Sequence, residues 1–325
     1  MINNKNAAAA SGATEKKMAT VIEVSNVSKR YGEVHALDGI NLSIAKGEMF
    51  GLIGLNGAGK STLFKLMLGL IPPTTGEIRV HDVRIDGREF REVRRRIGYL
   101  PESFVTYENL TGLEVLRLFA DLKHVPRSSC AALLERVGLA DAAGRRVHGY
   151  SKGMRQRLGL AQALLGDPDL IFLDEPTNGL DPQGIHDFYQ MLRQVQADGA
   201  TIIITSHILA EIQERVDRLV ILQNGRITAR GTLAELRAQR VMPSIIEVVL
   251  PVGQEVEILA LLADIPGLEI KMSGSCTRIA CLPSQKATVL GLLFAREGAV
   301  QDVAINEPSL EDLFLGLGGQ HVHAG

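Results

Sequence analysis

The chain is poor in cysteine, which argues against a disulfide-bonded scaffold. Cys130, Cys276 and Cys281 are scattered among 325 residues, and so few cysteines cannot form a framework of bridges. This usage is typical of a reducing compartment. The odd spacing of Cys276 and Cys281 places them on opposite faces of a strand, so we expect them to pack rather than to bind copper or zinc.

Long apolar runs are also missing. No window approaches the roughly 18 uninterrupted apolar residues that a membrane-spanning helix requires. Residues 1–20 have no apolar core of the signal-peptide type, so we predict a disordered tail there, and a short flexible tail at 319–325. Any membrane contact is therefore expected to be made through a partner.

A strong excess of one charge is absent as well. The formal net charge is −2, whereas a non-specific nucleic-acid binder usually has a strongly basic face. The arginines between Arg88 and Arg96 alternate with Glu89 and Glu92, which favours the solvated face of a helix over an anionic-lipid or phosphate site. We therefore expect no nucleic-acid partner.

What the chain does contain is a complete phosphate-binding loop. In the pattern G-x-x-x-x-G-K-[ST], the backbone N–H groups of a glycine-rich turn and a helix N-terminus hold the β- and γ-phosphates of a nucleotide. Lys60 would add a positive charge at those phosphates, and Ser61 would place its hydroxyl on Mg²⁺. The apolar run at 48–53 predicts the buried strand before the loop. The loop residues are Gly54, Leu55, Asn56, Gly57, Ala58, Gly59, Lys60, Ser61 and Thr62.

A second apolar segment ends in two carboxylates. Residues 170–173 are followed directly by Asp174 and Glu175, and a P-loop enzyme holds Mg²⁺ with an aspartate at this place. Glu175 is then positioned to take a proton from the attacking water, which is the work of a general base. Together with Lys60 and Ser61, the pair predicts nucleotide hydrolysis.

Two further motifs indicate a family. The segment Tyr-Ser-Lys-Gly-Met-Arg-Gln-Arg at 150–157 resembles the signature of the ATP-binding cassette (ABC) ATPases, and Thr-Ser-His at 205–207 resembles their switch histidine. The motifs follow the order and spacing of that family over roughly residues 21 to 236. The alternative of a P-loop kinase or GTPase leaves Ser151, Gly153 and His207 together unexplained.

The resemblance implies roles around one nucleotide. Tyr31 matches the aromatic residue that stacks on adenine, and Asp174 matches the aspartate that holds Mg²⁺. Glu175 matches the catalytic base and His207 the residue that senses the γ-phosphate. ATP and Mg²⁺ are therefore the expected ligands.

The resemblance also implies a homodimer. Ser151 and Gly153 match signature residues whose hydroxyl and backbone N–H would meet the γ-phosphate bound to the opposite subunit. Asp181 matches the loop that communicates across the dimer. Each ATP would therefore be enclosed between two copies of the chain.

Two features depart from the family pattern. Glu102 in Gly-Tyr-Leu-Pro-Glu stands where most members carry glutamine, so a charged oxygen is expected to face Mg²⁺ and water. Lys152 replaces a common glycine in the signature, and Met154 replaces a common glutamine. Neither change excludes catalysis, because Ser151 and Gly153 are retained.

The expected fold class is α/β. The resemblance implies a P-loop NTPase core of the RecA type with an antiparallel β subdomain, spanning residues 21–240, and a helical subdomain at about 103–166. The pattern of residues 241–318 is β-α-β-β-α-β, which predicts a small C-terminal α+β domain of the ferredoxin-like type. The 46% hydrophobic content suffices for two domains.

The expected function is that of the ATP-hydrolysing subunit of an ABC transporter. It would be cytoplasmic, peripheral on the inner face of the cell membrane, and would drive a separate transmembrane subunit. Within the family, residues 150–163 and 100–102 most resemble the ATPase that serves copper-site maturation of nitrous oxide reductase. A drug or lipid exporter ATPase is the alternative. A soluble ABC ATPase acting on ribosomes or DNA is the alternative from another class, although such proteins carry two cassettes or long coiled coils, and sustained heptads are lacking here.

Overall fold

The computed structural model describes residues 19–239, 243–251, 260–273, 276–295, 300–306 and 314. In chain order the strands are β1 (Thr20–Tyr31), β2 (Val34–Ala45), β3 (Met49–Ile53), β4 (Thr75–Val80), β5 (Val83–Arg84), β6 (Ile97–Leu100), β7 (Leu170–Asp174), β8 (Thr201–Ser206), β9 (Arg218–Gln223), β10 (Arg226–Gly231), β11 (Ser244–Val249), β12 (Glu269–Ser273), β13 (Cys276–Cys281) and β14 (Asp302–Asn306). The helices are α1 (Lys60–Met67), α2 (Phe90–Arg95), α3 (Gly112–Lys123), α4 (Ser129–Arg136), α5 (Lys152–Ala163), α6 (Pro182–Ala197), α7 (Leu209–Ile212), α8 (Leu233–Gln239) and α9 (Lys286–Leu293).

A six-stranded sheet in the order β10-β9-β3-β8-β7-β6 forms the centre of the chain. Every pairing is parallel except that of β10 with β9. All residues of β3 and β8 are buried, as expected of parallel strands covered on both faces. The carboxyl ends of β3, β7 and β8 meet at one edge, where Asp174 pairs with Thr205 and Ile53 with Ser206. This edge is where open α/β sheets bind ligands.

A second, antiparallel sheet in the order β2-β1-β4-β5 covers one side of the core. Its apolar residues share a cluster with Phe50, Phe64 and Phe172. The rings of Phe64 on α1 and Phe172 on β7 meet edge to face at 5.0 Å, a favourable aromatic geometry. The helix that follows the phosphate-binding loop is thereby fixed against the central sheet.

The helical segment predicted at 103–166 contains α3, α4 and α5, which share the other core cluster with β3, β7 and β8. Helix α3 begins at a capping box in which the Thr111 hydroxyl accepts from the Glu114 N–H and the Glu114 carboxylate accepts from the Thr111 N–H. Such reciprocal caps satisfy N–H groups that the helix leaves unpaired. Within the described ranges, no helix has the length and apolar character needed to cross a bilayer.

The C-terminal residues form a third sheet in the order β12-β13-β11-β14, with antiparallel pairings. Its four strands follow the predicted sequence order. The first helix of this pattern is predicted at 254–263, and its residues 254–259 lie outside the described residues, so the ferredoxin-like label stays a prediction. Cys281 is buried and Cys276 partly exposed, at opposite ends of β13. Phe314 is buried in the core cluster of the cassette rather than among the residues of this third sheet.

Some element limits differ from expectation. The Pro-Pro-Thr-Thr-Gly sequence at 72–76 predicts a break in the pattern, but β4 already begins at Thr75 and pairs with β1. The sequence pattern predicts a helix at 60–70 after the phosphate-binding loop, but α1 ends at Met67. Gly69, two residues later, adopts a positive φ of 63° that favours a helix end. The arginine-rich segment lies on and around α2, and its arginines are exposed as expected.

Candidate active site

The loop between β3 and α1 is held in shape by close backbone packing. Gly59 is the N-cap of α1 with a φ of 105°, in the left-handed region that favours glycine. A Cβ added at Gly59 would lie 2.7 Å from the Ala36 carbonyl oxygen, and one added at Gly54 would lie 2.4 Å from that of Leu222. Both positions therefore require glycine. The result is a turn that opens onto a helix N-terminus, the geometry that binds phosphate.

The Lys60 side chain folds back into this loop. Its Nζ donates to the Gly54 carbonyl oxygen at 2.6 Å and lies 3.5 Å from Glu175 Oε1. Only 7% of the side chain is exposed. The loop thus contains a buried ammonium group at the place where the phosphates of a nucleotide would bind.

The Glu175 carboxylate lies between the side chains of Lys60 and His207. Its carboxylate is 11% exposed, with Oε2 only 2.7 Å from His207 Nδ1 and Oε1 facing Lys60. The Glu175 N–H donates to the Thr205 hydroxyl at 2.9 Å. Glu175 has a φ of 47°, a strained conformation for a non-glycine residue that persists only where its surroundings enforce it. The carboxylate predicted as the base is therefore fixed in position.

Asp174 lies behind this carboxylate at the end of β7. Its Oδ1 accepts a hydrogen bond from the Thr205 hydroxyl at 2.6 Å. Burial raises the pKa of Asp174, the Thr205 hydrogen bond lowers it, and the charges of Glu102 and Glu175 raise it further. A bound cation would offset this concentration of carboxylates.

The donor set fits Mg²⁺ as the resemblance implied. Asp174, Glu102 and the Ser61 hydroxyl all offer oxygen atoms, which Mg²⁺ prefers. In the part of the chain that the structure describes, no group of three or more His, Cys, Asp and Glu side chains could hold a metal alone. Mg²⁺ would therefore bind to this chain together with substrate phosphates and water, as it commonly does.

One cavity of about 390 Å³ unites most of the predicted nucleotide-binding residues. This volume lies in the range of roughly 300 to 1,000 Å³ that is usual for small-molecule sites. Asp174, Gly54 and Ala58 are not part of its lining; the last two are buried beneath the loop. The lining residues are Val34, His35, Ala36, Leu55, Asn56, Gly57, Gly59, Lys60, Ser61, Thr62, Glu102, Glu175, Asn178 and His207.

Tyr31 lies beside this cavity rather than in its lining. It pairs with Val34, which does line the cavity. Its side chain is 49% exposed and the Lys29 Nζ lies 5.1 Å from the ring centre. Adenine stacking on Tyr31 stays a prediction that needs the ring to face a bound nucleotide.

Ser151, Gly153 and Asp181 line a different cavity, of about 520 Å³. The Ser151 hydroxyl accepts from the Met154 N–H at 3.2 Å and caps α5, and the Asp181 carboxylate accepts from the Gly184 N–H at 2.7 Å and caps α6. These three residues do not join the loop around Lys60 within one chain. Contact of these residues with a phosphate held at Lys60 would need a second copy of the chain, and this stays a prediction.

No role for Thr205 was predicted from the sequence. Its buried side chain orders both Asp174 and the Glu175 backbone. The local signal was a threonine at the end of a strand, but only the parallel register of β7 and β8 places it beside Asp174. Val34, His35, Ala36 and Asn178 were also missed as cavity residues, because β2 and the loop after Glu175 reach the site only through the fold.

The comparisons with known proteins agree with this geometry. The family model described as ABC transporter matches residues 37–178. A daunorubicin resistance ATP-binding protein of Streptomyces coeruleorubidus is 37% identical over 92% of this chain and 96% of its own length. This chain belongs to the ATP-binding proteins of ABC transporters. A bacitracin transport ATP-binding protein of Bacillus licheniformis is 34% identical over 93% of this chain and 98% of its own length.

Solved structures show the same cassette fold. A structure of an ATP-binding subunit of an ABC transporter is 38% identical, with a TM-score of 0.60, and covers 68% of this chain and 93% of that one. A dimeric post-hydrolysis cassette bound to ADP and phosphate is 28% identical, with a TM-score of 0.59, and covers 65% of this chain and 98% of that one. The cassette is therefore an ABC ATPase, and the family hydrolyses ATP in support of transport.

In this ABC ATPase the family resemblance predicts distinct tasks for these residues. The loop and Lys60 would bind and orient the phosphates, which would bring the reacting groups together. Glu175 would accept a proton from water at its carboxylate, and His207 would donate a hydrogen bond at the γ-phosphate. Ser61, Asp174 and Glu102 would hold Mg²⁺, which neutralises negative charge that develops on the phosphates.

Replacement of Glu102 by glutamine should preserve ATP hydrolysis to within about tenfold, or roughly 1.4 kcal/mol of barrier. Both side chains offer Mg²⁺ an oxygen atom, and proton abstraction belongs to Glu175. The charge of Glu102 also raises the pKa of Asp174, and its removal would favour the ionised carboxylate there. Steady-state turnover of the two proteins measures the effect. A loss as deep as that of Glu175→Gln would make Glu102 part of the proton transfer and overturn this division of roles.

Proposed function

We propose that this ATPase powers the export of a drug-like or antibiotic compound, as a homodimer attached to a separate transmembrane subunit. The observation that carries the proposal is similarity over nearly the whole chain to proteins named for daunorubicin resistance and bacitracin transport. On this proposal the protein lies at the inner face of the cell membrane and contacts it through the partner.

The two separate cavities support the dimer. One carries the phosphate-binding loop and the other carries Ser151 and Gly153. A pair of copies related by twofold symmetry would bring each loop to the other copy's signature, and would complete two equal sites. A related cassette has been solved as a dimer.

Exposed apolar side chains support a partner-binding surface. Val105 is 83% exposed and Tyr107 65% exposed, and both lie in the loop that follows Glu102. Neighbouring exposed apolar groups are typical of interaction sites. Because Glu102 lines the nucleotide cavity, this loop would connect the partner to the hydrolysis site.

The copper-maturation hypothesis rests on residues 150–163 and 100–102 alone. The relatives described above are named for resistance to and transport of antibiotics. In the described part of the third sheet, Cys276 and Cys281 lie at opposite ends of β13 and form no metal cluster. Export is therefore the better supported proposal, and copper maturation stays a prediction from the signature.

Affinity purification from detergent-solubilised membranes should recover a protein with several membrane spans together with this ATPase. The double substitution Val105→Ser and Tyr107→Ser should abolish that recovery, because less apolar area would be buried on binding of the partner. The ATPase activity of the isolated double variant should stay within about threefold of the wild type. The matched control is Met272→Ser, which also removes an exposed apolar side chain, 54% exposed on β12.

Two outcomes of that purification, and one of a gene deletion, count against the proposal or its interface. A wild-type protein that recovers ribosomal proteins or DNA, and no membrane protein, would favour the soluble alternative. If the double variant still recovers the membrane partner, the loop that contains Val105 and Tyr107 is not part of the interface. Deletion of the gene should also increase sensitivity to daunorubicin or bacitracin, and altered assembly of copper sites without such sensitivity would favour the copper alternative.

A further inference from the structure

A buried polar cluster lies behind the Glu175 carboxylate and has no task in the mechanism described so far. Thr177 is 4% exposed, and its hydroxyl donates a hydrogen bond to Glu211 Oε1. Tyr189 is 5% exposed, and the guanidinium of Arg215 lies 4.7 Å from its ring centre. Burial of polar groups is costly unless they are hydrogen-bonded. In this cluster the Thr177 hydroxyl and the Glu211 carboxylate are hydrogen-bonded, whereas Tyr189 Oη and Arg215 Nη1 are buried without a hydrogen-bond partner among the described residues.

The cluster joins the two segments that carry the catalytic side chains. Thr177 belongs to the turn that directly follows Glu175, and Glu211 lies on α7, directly after the segment that contains His207. The same two segments also contact each other at the catalytic side chains, where His207 Nδ1 lies 2.7 Å from Glu175 Oε2. The Thr177–Glu211 hydrogen bond therefore adds to the contacts that Glu175 makes with Thr205 and His207.

The backbone of the Glu175 turn needs such support. Glu175 has a positive φ of 47°, and the turn is closed by the Asn178 N–H on the Glu175 carbonyl oxygen at 3.2 Å and by the Leu180 N–H on the Thr177 carbonyl oxygen at 3.1 Å. These bonds lie within the turn and do not fix the turn relative to α7. The hydrogen bond from the Thr177 hydroxyl to Glu211 fixes the turn relative to that helix. A strained residue keeps its conformation only when neighbouring contacts enforce it.

We propose that Thr177 and Glu211 form a latch that holds Glu175 and His207 in the relative position required for ATP hydrolysis. Thr177 and Glu211 are positioning residues, since they act through Glu175 and His207 and do not themselves touch the substrate. The latch requires only that the protein hydrolyse ATP. It is independent of the exported compound and of the membrane partner.

The contributions of the Thr177 hydroxyl and of the Glu211 carboxylate can be tested separately. Burial raises the pKa of Tyr189, the charge of Glu211 raises it further, and the tyrosine stays neutral. Glu211 and Arg215 therefore supply the charges of the cluster. Glu211→Gln keeps an acceptor oxygen and removes only the charge, whereas Glu211→Ala removes the acceptor. Thr177→Val removes the hydroxyl and keeps the shape, and Thr177→Ser keeps the hydroxyl.

The test is the turnover number and KM for ATP of the isolated full-length protein, normalised to the nucleotide bound per chain. Thr177→Val and Glu211→Ala should each lower kcat by about tenfold or more, equivalent to roughly 1.4 kcal/mol of barrier, with KM within about threefold. Thr177→Ser and Glu211→Gln should stay within about threefold of the wild type. The double variant Thr177→Val, Glu211→Ala should be no slower than the slower single variant, because both changes break the same bond.

The matched control is Thr228→Val. This change also removes a hydroxyl hydrogen bond, that of Thr228 to the Ile221 carbonyl oxygen at 3.2 Å, but in the hairpin of β9 and β10. It should leave kcat unchanged.

Several results would overturn the latch. A kcat of Thr177→Val within threefold of the wild type would do so, and so would equal losses in Thr177→Ser and Thr177→Val. Additive losses in the double variant would show two separate effects. A merely structural role would lower the bound nucleotide per chain and leave kcat per bound nucleotide unchanged. Wild-type protein without ATP hydrolysis would contradict the ATPase assignment rather than the latch.

Discussion

Replacement of Glu175 by glutamine should cut ATP turnover by about 10² to 10⁴, the range expected for the loss of a general base, and should leave ATP binding intact. Glutamine keeps the shape and hydrogen-bonding capacity of the side chain but cannot accept the proton of the attacking water. The carboxylate lies between Lys60 and His207, and among the described residues no other carboxylate has these two contacts. Bound ATP should therefore persist and hold the dimer together.

Two measurements check this expectation. Steady-state phosphate release gives the loss of turnover, and size-exclusion chromatography in ATP gives the oligomeric state of the variant. Glu214→Gln is the matched control, because Glu214 is exposed in the segment between α7 and β9; it should leave both quantities unchanged. A monomeric Glu175→Gln protein in saturating ATP would contradict the shared-site dimer.

The largest loss of nucleotide affinity is expected from Lys60→Ala. A hydrogen bond to a charged group is worth about 1.5 to 3 kcal/mol, which corresponds to a tenfold to roughly 100-fold loss of ATP affinity. The Lys60 ammonium is buried in the loop and faces Glu175, and its removal also takes this positive charge away from that carboxylate. Binding and hydrolysis should therefore fail together.

Isothermal titration with ATP measures the first effect. Lys65→Ala is the control, because Lys65 lies on the same helix with an exposed side chain and should bind ATP like the wild type. Unchanged ATP affinity of Lys60→Ala would refute the assignment of the phosphate-binding loop.

The parts of the site that the sequence can point to are those made of consecutive residues. The loop at 54–62, the Asp174–Glu175 pair and the Thr-Ser-His segment each carry their chemistry and their strand or helix signal within a short stretch. The structure brings Lys60, Glu175 and His207 together through the adjacency of β3, β8 and β7. That adjacency was implied by the family resemblance and not by any single motif.

The parts that the sequence could not predict depend on contacts between distant segments. Thr205 orders Asp174 through strand register, and Thr177 meets Glu211 across two loops. A threonine or a glutamate in isolation resembles many solvated side chains, so neither position has a local signal. The burial of Phe314 in the cassette core likewise depends on packing against residues far away in the sequence, which no local pattern specifies.

The helix caps at Ser151 and Asp181 would lower the entropic cost of forming the proposed dimer. A hydroxyl that accepts from the Met154 N–H still has its own proton to donate to a phosphate oxygen. Because both side chains are already held in one rotamer by their caps, the freedom that association usually removes, about 0.5 to 1.5 kcal/mol for each side chain immobilised, was lost when the monomer folded. In the proposed dimer, each chain would therefore present that half of the shared site already ordered.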